Sequence, residues 1–469
     1  MQSLLLSNTE LHPAIMRAFC HHISLLIMPF LSISSCNTIE DDTYTSPTVI
    51  SGIVRDNSGI GIGLAIVSLP TAPDFTTVVT DNNGTFYLTG FPSGKHRLKV
   101  EKIGFEVFET DVPKPVNGVA SVNPRLLRAT YNVPSVKPVS SGPVRVVKKK
   151  LETDFDGDGV YAEWTVKGAA FAPTPIGGKP MTKAIYDRSI VWLKGMNANT
   201  VRTYSGVDKY FLQQAAANNI RVIVSFWVDL GADLSVPAIR QSFIDYFTLM
   251  IYDLKDYPGV LMWNIGNEQN YSSTPNNGNS PYWYSLVQEM AVAAYKIEGT
   301  RFHPVCISNG SNYNIGNASM NANDAALSYV DLWASNAYEQ NFAPFFTTYR
   351  SKSSKPIVIT EFGIDALDNT TKTEYERTQA YFDSTNWTQL RAAGDVCVGG
   401  TVFEFTDEWW KAGDQNNHDY GGYPTGVHPD GYSNEEWWGV VAVTPDTDGD
   451  GLDEWKGRKA YYTFQQLWK

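Results

Sequence analysis

The sequence predicts an α/β fold, a (β/α)8 barrel preceded by a small all-β sandwich. Two observations carry this. From Lys167 onward, apolar strand-like runs alternate with helix-like segments, and runs such as Val222-Ile223-Val224-Ser225-Phe226 and Pro356-Ile357-Val358-Ile359-Thr360 are apolar nearly throughout, as buried parallel strands are. Residues 47–128 instead show short alternating runs broken by turn residues. A doubly wound sheet is the rival for the larger part. It fits less well, because no Gly-rich phosphate loop opens the first helix.

The chain has 469 residues, room for two or three domains, with 43% hydrophobic and 18% charged residues, as in folded proteins. A net charge of −12 argues against a nucleic-acid partner, which needs a basic footprint. The one basic run, Lys148-Lys149-Lys150, reads as a solvated strand edge. Aromatics reach 13%, including 13 Trp and 25 Tyr. They suit a core, and they also suit sugars, whose C–H faces pack on flat rings. The four cysteines show neither metal spacing nor a disulfide framework, and Cys306 and Cys397 read as buried free thiols.

Residues 1–36 read as a targeting segment. Arg17 is a weak basic region, Ile23 to Ile33 form an apolar run too short for a permanent span, and Ile33-Ser34-Ser35-Cys36 resembles a bacterial lipobox, with Met16 a plausible start. That resemblance implies lipidation of Cys36. The membrane is then reached only through an N-terminal lipid anchor, and the protein is an outer-membrane lipoprotein; a periplasmic or secreted location is the alternative. Glu40, Asp41 and Asp42 resemble the surface-export signal of Bacteroidetes lipoproteins, which implies the cell surface.

In residues 47–128, turn signals recur at 56–59, 81–84 and 92–94, between runs at 49–54, 64–69, 76–80, 85–88 and 96–100. The SGIVRD start and the stretch TDNNGTFYLTGFPSGKHRLKVEKIGF resemble the carboxypeptidase regulatory-like domain. The resemblance implies a non-catalytic spacer or docking module. Residues 129–164 form a Pro- and Ser-rich linker followed by a hairpin, 144–150 with 161–166. Its loop carries Asp154, Asp156 and Asp158, and a near copy carries Asp446, Asp448 and Asp450. Both read first as acidic turns. They could hold a structural calcium, although the position of an EF-hand's closing Glu is Thr165 in one and Gly457 in the other. No cofactor is required for the chemistry expected below.

The barrel occupies 165–469, with strands expected at 167–171, 200–204, 221–226, 260–265, 304–308, 332–335, 356–360 and 400–405, and helices at 187–196, 209–218, 236–255, 282–298 and 372–393. Barrel enzymes work at the C-terminal ends of their strands, so polar residues there are the candidates. They are Arg202 and Tyr204, Trp227 and Asp229, Asn267, Glu268 and Gln269, Asn309, Asn336 and Tyr338, Glu361, and Glu404, Asp407, Glu408 and Trp409. Asp229, Asp407 and Glu408 could bind sugar hydroxyls or simply solubilise loops. Glu404 is either a buried cleft ligand or the partner of a barrel residue such as Arg202. Trp437 and Trp438 read as core.

Two apolar runs end in glutamate, LMWNIGNE at Glu268 and IVITEFG at Glu361. Strands four and seven face each other across an eight-stranded mouth, and glycosidic cleavage uses two carboxylates of unlike pKa. With NTVRTY and SNAY in the same order, these runs resemble glycoside hydrolase clan A over about residues 165–469. The resemblance implies a retaining mechanism on a β-linked polysaccharide or oligosaccharide. It implies Glu268 as acid/base, Glu361 as nucleophile, Asn267 on the sugar 2-hydroxyl, Arg202 and Tyr338 on the nucleophile, and Trp409 as platform for the sugar at the cleaved bond. Trp227 and Asp229 join as cleft residues. Gln269, where many members have Pro, departs from the cellulase-like pattern. NTVRTYSGVDKYFLQQAAANNIRVIVSFWVD is similar to β-1,3-glucan-active members. A β-glucan transglycosylase and a non-catalytic glycan-binding surface lipoprotein are the alternatives; the second has no need of both carboxylates.

Overall fold

The computed structural model describes residues 46–72 and 77–469; the targeting segment and Cys36 lie outside the described residues. Eight parallel strands close a barrel: β1 (Val166–Ala170), β2 (Thr200–Arg202), β3 (Arg221–Phe226), β4 (Val260–Ile265), β5 (Val305–Gly310), β6 (Leu332–Asn336), β7 (Ile357–Phe362) and β8 (Cys397–Val402). Closure is direct, with β1 pairing β8 from Val166–Gly399 to Ala169–Val402. The helices are α1 (Lys183–Gly195), α2 (Lys209–Ala217), α3 (Pro237–Leu254), α4 (Pro281–Glu298), α5 (Phe342–Lys352), α6 (Glu376–Ala392) and α7 (Lys459–Leu467). Their starts follow from local chemistry. Thr182 and Asp208 cap α1 and α2 through their side-chain oxygens, and Pro stands in the first turn of α3 and α4, where its missing N–H costs nothing.

The barrel departs from eight full β/α units in one place. No α-helix follows β5; the connection holds a single 3-10 turn, Ala318–Met320. Its sequence is dense in Asn, Ser and Gly, which favour turns over helix. Helices α5 and α7, absent from the sequence reading, fill the places after β6 and β8. Strand β8 was expected to run to Phe405 but ends at Val402.

Among its described residues the N-terminal domain has, besides a two-stranded ladder of Arg55–Asp56 with Arg125–Leu126, two small sheets. One orders Thr85–Thr89, Val49–Ile53 and Val119–Ser121; the other orders Val78–Val79, Ile66–Ser68, Arg97–Glu101 and Phe108–Asp111. Ile50, Val67, Phe86, Leu88, Leu98 and Val100 bury the space between them. Lys102 reaches Asp245 of α3 at 3.1 Å, tying this domain to the barrel. The Pro-rich stretch after it lies along the barrel. Lys137 donates to Asp331 at 2.6 Å and to the Tyr329 carbonyl at 2.7 Å, and the Ser140 hydroxyl donates to the Phe302 carbonyl at 2.5 Å.

The expected hairpin is a three-stranded meander instead. Val144–Val147 pairs with Lys150–Thr153, which pairs with Ala162–Glu163. Lys148-Lys149 is thus a tight turn, with Lys148 at φ 55°, rather than a strand edge. The meander sets Val144, Leu151 and Trp164 against Val166, Leu261, Cys306, Leu332 and Val358, all early strand residues. It therefore plugs the N-terminal mouth of the barrel and leaves the opposite mouth for chemistry.

Candidate active site

Glu361, near the end of β7, is 6% exposed and held from three directions. Arg202, fully buried on β2, donates to its Oε1 at 2.8 Å. The Tyr204 hydroxyl donates to the same oxygen at 2.8 Å, and Tyr338 donates to Oε2 at 2.5 Å. The Arg202 guanidinium also lies 3.9 Å over the Tyr204 ring. Three donors on one carboxylate fix its orientation.

Arg202 extends this grip toward Asn267, donating to its Oδ1 at 2.7 Å, while the Asn336 amide donates to the same oxygen at 3.0 Å. Beneath them the ladder continues inward. Thr360 donates to Asn336, Ser308 lies 3.2 Å from Thr360 and donates to Asn264, and Asn264 donates to Ser225. Six of the eight strands thus contribute to one buried polar network, which is why polar residues are tolerated inside the barrel.

Glu268 follows a sharp turn at the end of β4. Gly266 has φ 73°, and a Cβ there would stand 2.2 Å from Gln269 Oε1 and 2.7 Å from Trp283, so only glycine fits. Glu268 itself sits at φ 60°, its N–H donating to the Ser308 carbonyl at 3.0 Å. Gln269, fully buried, holds the turn by accepting from the Asn267 N–H at 2.6 Å and donating to the Val228 carbonyl at 2.8 Å. Enclosure by the cleft walls, then the charge of Glu361, pushes the Glu268 carboxyl up to about 8, against the pull of Asn336 and Arg202. The charge of Glu361 is thus felt at the Glu268 carboxyl.

Beyond β8 lies a second charged cluster. Lys411 bridges Glu408 at 2.9 Å and Glu404 at 3.4 Å, and stands 4.1 Å over the Phe403 ring. Glu404 pairs with Lys411, not with Arg202. Burial, then the charge of Glu408, raises its carboxyl well above the usual range. Burial likewise raises Glu435, whose charged neighbours include Lys411, Glu408 and Glu361. Trp438 packs edge-on against Tyr338 and Phe403, so one of the two tryptophans read as core adjoins the hydroxyl that donates to Glu361. Lys411 and Glu435 had no signal in the sequence, since they lie on irregular chain after the last barrel strand.

The other candidates make contacts of their own. Asp407 is buried in a two-pronged ion pair with Arg458, at 2.6 and 2.8 Å, and so anchors the C-terminal segment. Trp409 stacks on His418 at 4.6 Å, and His418 stacks on Trp437 at 3.4 Å. Trp227 is half-buried just past β3. Asp229 is exposed, and its carboxylate accepts the Gly231 N–H at 2.7 Å, closing a turn. Asn309 is buried and supports the next loop, accepting from Tyr284 and donating to the Tyr313 carbonyl. Two acidic groups bring oxygens within 4.8 Å of one another and could hold a cation: Asp154, Asp156 and Asp158, and Asp446, Asp448 and Glu454. In the second, Glu454 takes the place given to Asp450.

Comparisons with known proteins agree with this architecture. Residues 49–127 match the carboxypeptidase regulatory-like domain. Residues 173–410 match glycosyl hydrolases family 2, TIM barrel domain. No curated protein matches the chain in sequence. Among solved structures, a β-galacturonidase from Eisenbergiella tayi bound to glycerol superposes with a TM-score of 0.51 at 14% identity, covering 87% of this chain and 65% of that one. A β-glucuronidase from Ruminococcus gnavus in complex with uronic deoxynojirimycin gives 0.52 at 17% identity, covering 86% and 63%. The chain thus spans less than two thirds of their length, and at such identity they share its fold. With the family model covering half of the chain, over the barrel that holds Arg202, Glu268 and Glu361, the protein belongs to the TIM barrel domain family of glycosyl hydrolases family 2.

Proposed function

We propose that the chain is a retaining β-glycoside hydrolase acting on a neutral β-linked glycan such as a β-glucan. The observation that carries the reading is the asymmetry of the two glutamates: Glu361 is fixed by Arg202, Tyr204 and Tyr338, while Glu268 keeps its proton up to about pH 8. Glu361 attacks the anomeric carbon as Glu268 gives its proton to the departing oxygen. Burial and the charge of Glu361 hold Glu268 protonated; esterification removes that charge, so its proton affinity falls and it can take a proton from incoming water. Attack of that water on the anomeric carbon then frees Glu361. Asn267, held by Arg202 and Asn336, binds the sugar 2-hydroxyl in this reading.

A neutral sugar is favoured by charge. Arg202 is already paired with Glu361 and Lys411 with Glu408, so a uronate would meet Glu361, Glu408 and Glu435 without a free cation from this set. We further propose anchorage at the outer membrane through lipidated Cys36, with calcium, where either acidic loop takes it, serving structure alone.

The test is activity on β-glucans, mannans and galactans, with β-uronides as the contrast. Glu268→Gln and Glu361→Gln are each expected to lose at least about a hundredfold. Variants as active as wild type would overturn the assignment. Products formed at high donor concentration tell whether water or a second sugar is the acceptor.

A further inference from the structure

We propose that Tyr271 and Tyr313 form the subsite that receives the leaving group, so that the enzyme is built for glycans whose departing portion is itself a pyranose. This rests on the reading of Glu268 as proton donor.

Tyr271 lies three residues past Glu268, and its N–H donates to the Glu268 carbonyl at 2.9 Å. Tyr271 is 53% exposed, and its ring meets that of Tyr313, a residue 60% exposed, edge-on at 6.0 Å. Large exposed rings are common at loop tips, where they move freely. These are mounted differently. The Tyr271 ring lies on the backbone of Gly310 at the end of β5, where a Cβ would stand 2.0 Å from Cε2 and 2.5 Å from Cζ.

The residue beneath it, Asn270, is buried and clamps Gly310 from both sides, accepting its N–H at 2.7 Å and donating to its carbonyl at 2.9 Å. Gln269 is fully buried in the same turn. Tyr313 is tied down in turn by Asn309, which donates to its carbonyl at 2.5 Å. Buried amides thus fix the backbone beneath both rings, and the Tyr271 ring rests on Gly310. Ordered exposed apolar surface is unfavourable unless something covers it, and rings present a flat face suited to a pyranose.

What covers them follows from place. The group nearest a proton donor in a glycosidase is the leaving oxygen and the sugar attached to it. Among charged groups, Glu268 acts most strongly on Tyr271.

The experiment compares two substrates with the same non-reducing sugar: a β-glycosyl fluoride, whose leaving group cannot reach the rings, and the matching β-linked disaccharide. The pair is taken from the sugar that the wild type cleaves. Tyr271→Ala and Tyr313→Ala are expected to lower kcat/KM on the disaccharide about tenfold each and on the fluoride less than about twofold. Tyr271→Phe, which keeps the ring, should retain most activity on both. Equal losses on both substrates, or none on the disaccharide, would overturn the proposal. Glu268→Gln on the disaccharide separates the two claims. If it stays active, the proton-donor reading fails; if it fails to act while Tyr271→Ala and Tyr313→Ala keep wild-type rates, the leaving-group subsite alone falls.

Discussion

At the scale of the residue, Glu268 carries opposing demands. Enclosure and the charge of Glu361 raise its carboxyl to about 8, which makes it an acid at neutral pH. The same shift weakens the fold. In the unfolded chain the group loses its proton near its ordinary value of 4.5; in the folded chain it keeps it. Between those values the folded state binds more protons, so stability falls as pH rises through the window. Glu268→Gln removes this loss. Its melting temperature relative to wild type should therefore be least advantaged near pH 4.5 and gain steadily toward pH 8; a constant difference would contradict the shift. The activity of the wild type should decline above about pH 8. Both glutamates were legible in the sequence, because each terminates an apolar run and strand ends are where barrels work. The contact of Tyr204 with Glu361 was not. It joins β2 to β7 across the barrel, and no local spacing encodes a bond between residues so far apart in the chain.

At the scale of elements, apolar runs gave the strands to within a few residues, because burial on both faces leaves a continuous signature. Helix α5 was harder to read. It follows an Asn341 cap with Phe342-Ala343-Pro344, and its buried face is made of aromatics that equally suit strands. Helix α7 buries Ala460, Tyr461 and Phe464 and rests on the pairing of Arg458 with Asp407 just before it. Arg458 and Asp407 are both fully desolvated, so removing one partner strands a buried charge. Arg458→Met with Asp407 retained is expected to cost about 3 kcal/mol in denaturant melts. The paired change, with Asp407→Leu as well, should recover much of that loss. Failure to recover would mean that the cation matters for more than charge balance.

At the scale of the molecule, the parts are fastened in a definite sense. The N-terminal domain is held through Lys102 and Asp245, the intervening stretch through Lys137 and Asp331, and the meander closes one barrel mouth. The proposed anchor lies at the same end of the chain. Cys36→Ala should shift the protein from the detergent phase to the aqueous phase on Triton X-114 partition; an unchanged distribution would count against lipidation. The seam of the barrel has its own consequence, in time rather than space. Strand β1 completes its pairing only with β8, which leaves the ribosome roughly 230 residues later, some ten to fifty seconds at ordinary elongation rates. During that interval the early strands present an open edge, while the small domain before them can already be folded. Translation speed and chaperone supply should therefore govern the yield of this protein more than the stability of its finished state.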